Sequence, residues 1–154
     1  MRQVRVYSAD PLAAHSEQEL GRAASAHVLR VLRLRAGDAL TLFDGRGGEY
    51  PARLVRTGRA AAVVEVGAHL PLERESPLAI TLLQSLARGE KMDFIVQKGT
   101  ELGVTRIVPV AVGRSVMRVP QGREGRKLEH WRAVAASACE QCGRNRLPQI
   151  DAPV

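Results

Sequence analysis

The stretch Leu78-Ala-Ile-Thr-Leu-Leu-Gln-Ser-Leu-Ala-Arg-Gly-Glu-Lys-Met-Asp-Phe-Ile-Val-Gln-Lys-Gly-Thr-Glu-Leu-Gly-Val-Thr-Arg-Ile-Val-Pro-Val110 decides how the second half of this chain folds. It opens over 78–84 on a short continuous apolar run of the buried-strand type. A helix follows over about 89–102, with Met92, Ile95, Val96, Gly99 and Leu102 on one face. Residues 106–110 form the next strand. A second helix is expected over about 124–142, stacking Leu128, Trp131, Ala135, Ala138 and Cys142. Strand, helix, strand, helix predicts a parallel sheet with helices on its faces. In such sheets ligands bind beyond the carboxyl ends of the strands.

Upstream the texture differs. Residues 3–7, 39–43, 51–57 and 60–66 read as short strands, and the glycine-rich Asp44-Gly-Arg-Gly-Gly48 reads as a hairpin connection. Ser25 is expected to cap a short helix over 27–33, which Gly37 ends at a turn. Close-spaced short strands suggest a small barrel. Two prolines and alternating charge place a linker at 67–77. The expected organisation is α/β with a separate small β-barrel: residues 1–72 form the barrel and 73–154 the α/β unit.

The 154 residues carry a net charge of +7 at an isoelectric point near 10.4. Twenty of the 23 basic residues are arginine, whose planar fork grips phosphate through paired hydrogen bonds. The charge is spread: 1–72 holds 10 arginines against 7 acids, and 73–154 holds 13 basic residues against 9 acids. A GC-rich genome explains an arginine excess over lysine but not the positive balance, so a polyanionic partner is favoured. No apolar run approaches the ~20 residues of a membrane span, and the start lacks a signal-peptide core. A cytoplasmic location is expected.

Two polar boxes end the two helices: Lys98-Gly-Thr-Glu101-Leu-Gly103 and Gln141-Cys-Gly-Arg144-Asn-Arg146. Lys98 and Glu101 could form a plain i,i+3 pair, or Glu101 could face a site as a base or as a positioner of an arginine. Phe94, on the same polar face, suggests a covered surface. A helix C-terminus accounts for one of Arg144 and Arg146, yet leaves Gln141, Asn145 and the second arginine idle, so a nucleic-acid or active-site role is expected for Arg144. Arg114 is a further candidate because it follows the strand at 106–110. In the first unit Arg30 and Arg33 alternate with an apolar stripe and are phosphate-contact candidates, with Arg2 and Arg5 weaker ones.

Cys139 and Cys142 form a C-x-x-C, but two cysteines and scattered single histidines do not make a zinc site. They read best as small buried helix residues, and no metal is expected. No Walker loop, dinucleotide glycine fingerprint or serine nucleophile elbow appears, which leaves kinase and hydrolase readings without support.

On the stretches 1–7, 27–33, 37–45, 74–77, 88–104, 114–115 and 138–148 the chain resembles the RsmE family of 16S ribosomal RNA (uracil-N3) methyltransferases, of the SPOUT superfamily. The resemblance implies an N-terminal PUA-like RNA-binding barrel followed by a SPOUT methyltransferase domain with a trefoil knot. It also implies methyl transfer from S-adenosylmethionine to N3 of one uridine in 16S rRNA of the small ribosomal subunit, by a homodimer. Catalytic candidates are then Glu101, Arg114, Gln141 and Arg144, and RNA-binding candidates are Arg2, Arg5, Arg30, Arg33 and Arg146. Family members continue into a Gly-Pro-Glu-Gly-Gly cofactor loop that does not occur in these 154 residues. The expectation is therefore an amino-terminal portion of the domain, without the knot, that does not bind S-adenosylmethionine alone. Gly113 also departs from the glutamate that relatives often carry. The rival readings are a non-catalytic RNA-binding or assembly module and a different SPOUT RNA methyltransferase.

Overall fold

The computed structural model describes residues 4–59, 61–112 and 124–154. The chain forms two compact units, Met1–Arg74 and Glu75–Val154. The division falls two residues after the boundary expected from the linker composition.

The first unit is built on strands β1 (Arg5–Tyr7), β2 (Ser16–Glu19), β3 (Ala39–Phe43), β4 (Tyr50–Thr57) and β5 (Ala62–Val66), in the sheet order β1-β3-β4-β5-β2. Only the β1–β3 pair is parallel. Alternation drives the burial: Leu54, Val64 and Val66 point into the core, whereas Arg53, Arg56 and Glu65 point outward. A bulge between Leu54 and Arg56 bends β4 over that core. Among the described residues β1 and β2 do not pair with each other, so the sheet is curved but open, where a closed barrel was expected.

The expected helix at 27–33 is displaced. A short α1 (Arg22–Ala26) runs straight into a π-helical turn, His27–Val31, closed by the Leu32 amide on the His27 carbonyl at 2.9 Å. Ser25 is not a cap. It is fully buried inside α1, donating to the Leu20 carbonyl (2.7 Å) and accepting the Ala62 amide (3.1 Å). Satisfying that β5 amide outweighs any capping preference.

The glycine loop before β4 shows why one glycine is required. Gly48 has φ +70°, and a Cβ there would strike the His69 ring and lie 2.8 Å from the Leu70 carbonyl oxygen. The ring can swing aside, but the carbonyl belongs to a backbone bridge between Glu49 and Leu70. Gly48→Ala is expected to destabilise the unit by about 2 kcal/mol. Urea unfolding monitored by circular dichroism checks this, and an unchanged midpoint would contradict it.

In the second unit β6 (Thr81–Ser85), β7 (Arg106–Val110) and β8 (Gln149–Ile150) form a parallel sheet in chain order, connected by α2 (Glu90–Glu101) and α3 (Glu124–Cys142). Both helices pack on one face: Met92, Val96, Trp131 and Ala135 share a core with Ile107, Ile150 and the half-buried Leu82. The other face is open, so β6 alternates in exposure and Leu83 is 70% exposed. The continuous buried strand read from the apolar run is corrected accordingly. Leu102 and Cys142, expected on apolar stripes, are exposed instead. Each sits where its helix stops, and a left-handed glycine (Gly103, φ 93°; Gly143, φ 87°) turns the chain away. Thr100 is fully buried, its hydroxyl bonded to the Val96 carbonyl at 2.8 Å.

Candidate functional site

The polar boxes meet where α2 and α3 end. Beyond Gly143 the chain turns inward and carries Arg144 against α2. Its guanidinium pairs with both Glu75 carboxylate oxygens (Nε 3.0 Å, Nη2 2.6 Å), while Nη1 donates to the carbonyls of Thr100 (2.7 Å) and Val104 (3.0 Å). The residue is 6% exposed. Arg144 therefore closes the C-terminal turn of α2, adding a second donor to the Thr100 carbonyl, which already accepts the Gly103 amide, and one to the Val104 carbonyl. Burial works against its charge, and Glu75 more than compensates, so its pKa is raised. The direct phosphate or base contact expected of Arg144 is not the geometry observed.

Glu101 takes the plainer of its two readings. Its carboxylate accepts from Lys98 Nζ (2.6 Å) and Gln97 Nε2 (3.0 Å), and these bonds hold it below the ordinary carboxylate range. A carboxylate so held is a weaker base than a free one. Gln141 is exposed and, with Gln97, Val134, Ser137 and Ala138, lines a hollow of about 190 Å³. Arg146 is exposed close by in sequence.

This cluster lies at the amino ends of the strands, because each helix runs antiparallel to the strands it joins. The carboxyl ends, where ligands sit in such sheets, carry different groups. There Asp93 on α2 and His130 on α3 join at 2.8 Å (Oδ2 to Nε2). They flank a cleft of about 130 Å³ lined also by Ala87, Gly89, Met92, Lys127 and Trp131. Sequence reasoning left His130 as a scattered histidine, and only the pairing of two helices joins it to an aspartate 37 positions away. Arg114 falls in 113–123, outside the described residues, although Val112, the last described residue before it, continues from the carboxyl end of β7. Of the four expected catalytic residues, Glu101, Gln141 and Arg144 share the amino end, and Arg114 lies outside the described residues.

In the first unit Arg30 and Arg33 are exposed, Arg33 in a left-handed conformation at φ 55°. Arg5 is not available in the same way. Its side chain is 7% exposed, is ion-paired to Glu49, and lies 4.8 Å above the Phe43 ring centroid. The phosphate role expected of Arg5 is corrected to a structural one. Arg2 lies outside the described residues. Among the described residues no group of three or more His, Cys, Asp or Glu side chains could hold a metal ion, and no helix is long and apolar enough to cross a membrane.

A basic sheet unit followed by a parallel α/β unit defines a class when set beside known families. Residues 74–154 match the RNA methyltransferase domain and residues 20–67 the RNA methyltransferase PUA domain. The chain belongs to the RNA methyltransferase family, in its RsmE branch. Among relatives, ribosomal RNA small subunit methyltransferase E of Buchnera aphidicola is 30% identical over 97% of this chain and 59% of its own length. The Bacillus subtilis enzyme of the same name is 30% identical over 80% and 48%. The chain thus spans about half to three-fifths of these relatives. The Neisseria gonorrhoeae enzyme of that name, solved bound to S-adenosyl methionine, superposes with a TM-score of 0.92 at 38% identity, covering 99% of this chain and 62% of its own. A Legionella pneumophila protein described as a methyltransferase, solved with SAM, gives 0.96 at 36% identity, covering 100% and 64%.

Proposed function

We propose that this protein is a SAM-dependent methyltransferase that modifies N3 of one uridine in 16S rRNA of the small ribosomal subunit, acting as a cytoplasmic homodimer. The observation that carries the reading is the superposition of nearly the whole chain, with both units, on an RsmE enzyme solved with S-adenosyl methionine. The first unit supplies the RNA grip through Arg30 and Arg33, with Arg146 adding a cation on the second.

Among the described residues the cleft at the strand carboxyl ends encloses about 130 Å³, less than the roughly 300 Å³ at which pockets for molecules of that size begin, so these residues supply only part of the cofactor site. S-adenosylmethionine, when bound, supplies an electrophilic methyl group. The chain's own residues act on the uridine. N3 is an imide nitrogen that becomes nucleophilic as its proton leaves, and the charge then spreads onto the flanking carbonyl oxygens. Arg114 is the cation proposed to face that charge. Arg144 is a positioning residue, and Glu101 and Gln141 are proposed to orient RNA at the helix ends. The base must be unstacked for N3 to be reached.

The test is transfer of radiolabelled methyl to 30S subunits from a strain lacking the modification, followed by nucleoside analysis. Label in 3-methyluridine is expected, and label in any other nucleoside overturns the reading. For the RNA grip, Arg30→Ala with Arg33→Ala is expected to weaken RNA binding and lower the slope of log affinity against log salt by about 1–2. An unchanged slope would remove both arginines from the interface.

A further inference from the structure

The function above makes no use of the two cysteines. Both are reduced, Cys139 fully buried and Cys142 exposed, and they are one turn apart at the end of α3. Residues three apart on a helix place their Cα atoms about 5 Å from each other, inside the range a disulfide spans. Cys142 is the last helical residue, and left-handed Gly143 follows it, so this turn can yield without disturbing the rest of α3.

The surroundings of Cys142 favour its thiolate. The neighbouring Cys139 side chain lowers its pKa most, and the Arg144 amide and guanidinium add to that. Together they outweigh partial burial and the repulsion of Glu101, bringing Cys142 down to about 6. Cys139 moves the other way: its interaction with Cys142, burial and the charge of Glu75 all raise it, against the pull of Arg144. The Cys139 thiol donates to the Arg146 carbonyl at 3.5 Å. One exposed thiolate beside one buried protonated thiol is the arrangement of an attacking and a resolving cysteine.

We propose that Cys142 is a peroxide-oxidisable site and that Cys139 resolves it into an intrahelical disulfide. The Cys142 sulfur attacks one oxygen of hydrogen peroxide, the O–O bond breaks, and hydroxide leaves, giving a sulfenic acid. The Cys139 sulfur then attacks the sulfenic sulfur. The S–O bond breaks, and the hydroxyl departs as water with the proton Cys139 releases. Two thiols and one peroxide become one disulfide and two waters, with two electrons passing from sulfur to oxygen. The new bond tightens the turn from which Arg144 reaches Glu75, so oxidation is expected to loosen that tie.

The chain has two cysteines, which makes assignment unambiguous. Intact-mass spectrometry after treatment with hydrogen peroxide is expected to show a loss of about two mass units, reversed by dithiothreitol. In Cys139→Ser the same treatment should instead add one or more oxygens, and in Cys142→Ser the mass should not change. Alkylation of the untreated wild-type protein with iodoacetamide, followed against pH, should reach half its plateau rate near pH 6 at Cys142. This keeps the test decisive if either variant fails to fold. A midpoint near the ~8.5 of a free thiol, an unchanged wild-type mass, or a disulfide linking two chains overturns the proposal.

Discussion

Arg144→Ala is expected to destabilise the second unit by about 3–5 kcal/mol, the range for breaking a buried ion pair by removing one partner. The substitution leaves the Glu75 carboxylate, 13% exposed in its side chain, without its guanidinium. It also removes the donors to the Thr100 and Val104 carbonyls at the end of α2. Arg144→Lys should recover little, because one ammonium cannot reach a carboxylate and two carbonyls in a planar fork. Chemical unfolding reads the effect directly. A loss under 1 kcal/mol would show that the buried network contributes little, and would reopen a ligand-facing role for Arg144.

Glu49→Gln is expected to cost the first unit about 3 kcal/mol at neutral pH. Glu49 is 3% exposed and takes hydrogen bonds from Arg5 and Arg74. Burial alone would raise its pKa, but the bonds from Arg74 and Arg5 prevail and lower it from 4.5 to about 2. A carboxyl whose folded pKa is depressed adds stability above its unfolded pKa and loses it as pH falls through the folded one. The 2.5-unit gap corresponds to about 3 kcal/mol. The stability difference between wild type and variant should therefore be full above about pH 4.5 and vanish toward pH 2. A difference that stays constant across that window would contradict the assignment.

Much of the architecture was legible from pattern. The strands at 39–43 and 106–110 and the helix at 124–142 appear with the bounds their apolar spacing and glycine stops indicate. What could not be read were features set by distant partners. The sequence shows an arginine after a helix stop, but not that Glu75, 69 positions upstream, receives it. Likewise Arg5 looks like a free cation on a strand until Glu49, 44 positions on, is folded against it. Ser25 has the chemistry of a cap, and its burial beneath Ala62 follows only once β5 is in place. The candidate site was the least legible part. Helix-end boxes draw the eye, whereas the ligand end of a parallel sheet lies at the helix starts, where Asp93 and His130 carry no motif.

The most direct test of the account is to delete the gene in its host and map the modified nucleosides of 16S rRNA by mass spectrometry. The expected result is loss of one 3-methyluridine, with every other methylation retained and the lost mark restored by the plasmid-borne gene. An unaltered nucleoside map would contradict the proposed activity.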